Sequence, residues 1–86
     1  MASVAEVKAA IDAAVQHVRE SQQAVLAASE KLGEAQQSLA AAGEGSGHEA
    51  MGTAQAALGQ AALELDECLA ATEAAIAQAE AYVATL

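Results

Sequence analysis

Val4, Ile11, Val18, Val25, Leu32 and Leu39 recur at seven-residue intervals through the first half of the chain. Three residues after each stands a second seven-step series, mostly small: Val7, Ala14, Ser21, Ala28, Ala35 and Ala42. A seven-residue apolar repeat keeps one line of an α-helix turned toward a partner helix and winds the pair left-handed. Small residues on the second line predict that the partner comes closer than a leucine-rich seam would allow. The second half has a looser seam. Met51, Leu58, Leu65, Thr72, Ala79 and Leu86 are spaced by seven, and Leu69, Ile76 and Val83 run four residues behind the later members. Between these lines lie Ala54, Ala61, Cys68, Ala75 and Tyr82, so the large side chains change edge near Leu65 and Leu69.

One glycine cluster, Gly43-Glu44-Gly45-Ser46-Gly47, divides the two patterns. Gly43 suits the left-handed position that closes a helix. Ser46 stands three residues before Glu49, and Ser3 stands three before Glu6, the reciprocal pattern that opens a helix. The chain therefore reads as one helical hairpin over 1–86: a helix from about 4 to 42, a loop at 43–47, and a helix from about 47 to 86. Each helix of ~39 residues would be about 58 Å long, and so short a connection makes them antiparallel.

Folding at the glycines sets residues whose numbers sum to about 90 at the same height. Leu39 then faces Met51, Leu32 faces Leu58, Val25 faces Leu65 and Val18 faces Thr72. Ser21 meets Leu69, Ala14 meets Ile76 and Val7 meets Val83, so small residues oppose large ones in the lower half. That is the arrangement dense packing requires.

Composition shows how little such a hairpin has to bury. Nearly a third of the 86 residues are Ala, and there is no Trp, Phe or Pro, one Tyr and one Cys. Ala favours helix but contributes little burial, so an isolated hairpin of this size is marginal. Apolar side chains beside the seam, Val15, Leu26 and Leu63, are the candidate contacts for a second copy. The fold class expected is all-α: an antiparallel, Ala-rich coiled-coil hairpin pairing as a two-fold homodimer into a four-helix bundle.

Charge narrows the partners. The formal net is −9, from three basic and twelve acidic side chains, and no Lys or Arg follows the loop. Nucleic acid and anionic lipid both demand clustered cations, so neither is expected as a partner. Asp12, Arg19, Glu30, Glu73 and Glu80 interrupt every candidate membrane span, and Glu6, Lys8 and Asp12 interrupt any secretory leader.

The search for chemistry finds no catalytic, cofactor-binding or metal-binding set. His17 and His48 lie at opposite ends of the first helix and loop, so one hairpin cannot join them. Glu64, Asp66, Glu67 and Cys68 are the densest polar group, yet their spacing turns them to different faces and reads as a solvated surface. The Glu-x-x-His pairs of di-iron bundles are missing, and Ser3, Ser21, Ser29, Ser38 and Ser46 have no base placed beside them. Cys68, seven from Ala61 and from Ala75, reads as a small inward-facing apolar group; a crosslink between subunits is the alternative.

The opening Met1-Ala2-Ser3-Val4-Ala5-Glu6-Val7-Lys8, the Gln/Ala/Glu-rich run from Glu20 to Ala42, the Gly43 to His48 turn and the closing Ala81-Tyr82-Val83-Ala84-Thr85-Leu86 carry a resemblance. The chain resembles small Ala-rich helical-hairpin modules of actinobacteria, like the helical N-terminal segments of polymorphic toxins of the deaminase type. More distantly it is similar to the WXG-type hairpin proteins exported by type VII secretion. It departs from the latter at two places: the turn holds Gly45-Ser46-Gly47 in place of Trp-x-Gly, and Tyr82 is followed four residues on by Leu86 rather than by an acidic residue. The location expected is cytoplasmic, and the resemblance adds non-classical, type VII-like export as the alternative. The function expected is a non-enzymatic, self-associating interaction module acting as adaptor for a secreted or toxin-like partner. The alternative is a structural unit polymerising into a filament or shell.

Overall fold

Ser3 opens the first helix. Its hydroxyl accepts the Glu6 amide at 3.1 Å, satisfying one of the donors that a helix start leaves without a partner. Helix α1 then runs Val4–Ala42, and α2 runs Glu49–Ala84. The computed structural model describes residues 1–45 and 47–86, and among these the two helices form an antiparallel hairpin, an all-α fold. The molecule is a rod of 64 × 18 × 15 Å. Its radius of gyration, 19.5 Å, compares with about 12 Å for a compact domain of this length.

The turn is built differently from the sequence expectation. Gly43 closes α1 through its N–H to the Leu39 carbonyl at 2.9 Å, but its backbone is right-handed (φ −85°). The left-handed residue is Gly45, at φ 78°. The Gly43 position is tight, since a Cβ there would lie 3.3 Å from the Leu39 carbonyl oxygen and 2.8 Å from the Met51 methyl, of which the flexible methyl can move aside. Helix α2 starts two residues later than expected. His48 caps it, Nδ1 accepting the Ala50 amide at 3.1 Å; Ser46, the expected cap, lies outside the described residues.

The later start of α2 moves the register. Gln22 reaches Thr72 and Glu73, and Gly43 packs beside Met51, so numbers summing to about 94 rather than 90 share a height. Val25 thus stands level with Leu69, Val18 with Ile76 and Ile11 with Val83. Ser29 stands level with Leu65, and Val15 with Ala79. Small residues still alternate with large ones, but through different pairs from those first expected.

The inward row of α1 also differs. Val7, Ile11, Val15, Val18, Gln22, Val25, Ser29, Leu32, Gln36, Leu39 and Gly43 are buried or half-buried, whereas Ala14, Ser21, Ala28, Ala35 and Ala42 are exposed. The second line of the seam therefore stands four residues after the Ile11 series, not three. The stripe advances by a mean of about 3.6 residues, the period of a straight helix, so it drifts across a strict seven-residue repeat. Drift likewise explains α2, where Ala54 and Ala61 face in near the turn and Leu69, Ile76 and Val83 take over beyond it.

Candidate interaction surface

Two contacts identify one side of the hairpin. The Gln22 amide, 7% exposed, donates to Thr72 Oγ1 and to Glu73 Oε1, each at 2.9 Å. Thr72 in turn donates to the Leu69 and Cys68 carbonyls of its own helix. A separate link lies toward the open end: Arg19 Nη2 meets Glu80 Oε1 at 3.2 Å, with both side chains about half exposed. An exposed pair of this kind contributes no more than about 1 kcal/mol. Below it, Ile11, Val15, Val83 and Ala84 floor an open groove of about 370 Å³ rimmed by Asp12, Gln16 and Glu80.

In an antiparallel pair, residues rotated the same way from the seam emerge on the same side. At about 100° per residue, the side marked by these contacts carries Lys8, Asp12, Arg19 and Glu30 from α1 and Asp66, Glu73 and Glu80 from α2. This is the polar flank. The opposite side carries the exposed row Ala14, Ser21, Ala28 and Ala35 of α1 and the exposed row Cys68, Ala75 and Tyr82 of α2. Among the described residues Glu6 and Glu64 are the helical carboxylates directed to this alanine flank, with Lys31 on the same side; His17 stands at its edge, 3.7 Å from Glu20. Cys68 is a free, exposed thiol, not the inward-facing group expected, because the seam on α2 passes through Leu65, Leu69 and Thr72 instead.

The proposed seam residues take these places. Val7, Ile11, Val18, Val25, Leu32, Leu39, Met51, Leu58, Leu65, Leu69 and Val83 are half-buried, and Ile76 is buried at 3% exposure. Val4 and Leu86, at the open end, are exposed. Of the three residues proposed for contact with a second copy, Val15 is half-buried in the hairpin's own seam. Leu26 is 45% exposed on the polar flank, and Leu63 is 57% exposed on the back of α2. They do not form one patch. Sequence reasoning missed Gln22, whose polar side chain hid its place in the seam; its spacing of seven from Val15 and Ser29 was the available signal.

A single apolar side chain, Ile76, is buried among the described residues, at 3% exposure. The chain exposes 5965 Å², against about 4650 Å² for a compact monomer of its mass. The Ser29 hydroxyl, shut away from solvent in the seam, has no hydrogen-bond partner. No group of three or more His, Cys, Asp or Glu among the described residues is placed to hold a metal ion. No described helix is long and apolar enough to cross a membrane. Comparison with protein-family models, with curated proteins and with solved structures returns no match, so what the chain offers a partner is read from these two flanks.

Proposed function

We propose that this chain is a non-enzymatic protein-interaction module that self-associates, two hairpins pairing into a four-helix bundle. The observation that carries this reading is the mismatch between surface and core. One buried apolar residue among those described supports a 64 Å rod whose exposed area exceeds that of a compact monomer by about 1300 Å². A standard interface removes about 800 Å² from each partner, so the excess is of the size that pairing consumes. The test is light scattering at ~10 µM, where mass action should favour the assembled form. Twice the 8.5 kDa chain mass is expected; a monomer mass with full helicity overturns the reading.

The resemblance to toxin-associated hairpins supplies the partner class: the bundle acts as an adaptor for a secreted or toxin-like protein. Purification from the native host should then recover such a protein in stoichiometric amount, and recovery of the bundle alone counts against an adaptor. A second reading, a unit that extends side by side into a filament or shell, has one observation in its favour. Leu63 stands on the back of α2, where a pair closed over either flank leaves it uncovered. Electron microscopy distinguishes a closed particle from an open polymer.

A further inference from the structure

Self-association does not by itself say which side is covered. Resting on that reading, we propose that the occupant of the alanine flank is a second copy of this chain, with Cys68 enclosed between the two.

Charge distribution comes first. Each chain carries a net −9, so two copies repel wherever their carboxylates meet, and stripping water from an unpaired carboxylate adds to the cost. The polar flank holds Asp12, Glu30, Asp66, Glu73 and Glu80 against Lys8 and Arg19. The alanine flank holds two carboxylates, Glu6 near the open end and Glu64 toward its outer edge, with Lys31 on the same side. A basic partner would be drawn to the five carboxylates of the polar flank before these two. The side suited to a copy of the same acidic molecule is the one that carries less negative charge.

Shape agrees. The exposed rows of Ala14 and Ala28 on α1 and of Cys68 and Ala75 on α2 have small side chains, which permit helix axes to approach at the short end of the 8–10 Å range. A copy presents rows at the same interval, so the match is kept along the whole rod, and a two-fold relation makes one patch serve both chains. The rows on both helices are long enough to accept an interface of roughly 800 Å² per chain.

The free, exposed Cys68 thiol reports whether the flank is covered. Ellman's reagent is added to the wild-type chain across a dilution series, with mass followed by light scattering and helicity by circular dichroism. Modification of Cys68 should slow roughly tenfold as the dimer forms, because access limits thiol reactivity. The introduced thiol of Leu63→Cys, in a Cys68→Ser background, should react at an unchanged rate. A dimer whose Cys68 reacts as fast as the dilute chain overturns the assignment of this flank while self-association stands. A monomer mass at every concentration removes self-association itself. Ala75→Glu should return the mass to one chain and Leu26→Glu should not; the reverse result also overturns the assignment. Should Ala75→Glu fail to fold, the labelling of the wild-type chain still decides.

Discussion

Gln22 is the residue on which the pairing of the helices turns. Its amide is nearly enclosed, and both N–H groups are used across the hairpin, on Thr72 and on Glu73. A polar group at a single seam position specifies register at some cost in stability, as in coiled coils. Gln22→Ala should lower stability by about 1–2 kcal/mol through lost bonds and lost packing. Gln22→Leu should melt at the same temperature or higher, because Thr72 keeps its bonds within α2 and Glu73 reaches water. Thermal melts of the two variants check the difference; equal losses would mean that the bonds themselves dominate. Glycines give a second contrast at this scale. Gly45 holds a left-handed backbone, so Gly45→Ala should cost about 1 kcal/mol. Gly52 sits inside α2 with open space where a Cβ would stand, and Gly52→Ala should instead gain up to about 1 kcal/mol. Denaturant midpoints of both variants measure the signs.

At the scale of the element, the helices and their order were legible in the sequence, and their faces were only partly so. A run without Pro, rich in Ala and capped by Ser3, has few alternatives to a helix, and the glycine cluster leaves one place to turn. The facing rows were harder to read. A row spaced by seven has small neighbours on both sides, and Ala14 looks no less suitable for the seam than Gln22 until the pair is assembled. The straight-helix period and the Gln22 bonds settle it in favour of the polar residue. Register depended on where α2 begins, and a start two residues later shifted every cross-helix pair. The caps themselves are testable here: Ser3→Ala should cost about 1 kcal/mol and fray the first turn of α1. Amide exchange near Val4 to Val7 would show it, and unchanged protection there would mean that the cap contributes nothing.

For the whole molecule, stability and association are expected to be one measurement. Ile76 is the most enclosed side chain among the described residues, at 3% exposure, and Ile76→Ala, at the usual cost of about 2–5 kcal/mol for such a truncation, should remove the cooperative melt. If two chains share their surface, the melting temperature rises with concentration by mass action. A melting temperature that stays constant from ~1 to ~100 µM would mean that the thin seam is sufficient alone, contrary to the area argument. The candidate surface was the least legible part of the sequence. Leu26 and Leu63 attract attention as large exposed side chains, yet they point to different sides. The flank that stands out in three dimensions is made of residues too small to be noticed one at a time.

Because the two helices of this rod run in opposite directions, its first and last residues lie at one pole and its turn at the other. Tension applied between the two ends would peel the helices apart sequentially, from Ile11 and Val83 upward, instead of shearing the full length at once. Resistance should rise when the advancing fork reaches Arg19 with Glu80, and again at Gln22 with Thr72. A single tethered molecule would therefore yield at low force near its ends and pause about halfway along.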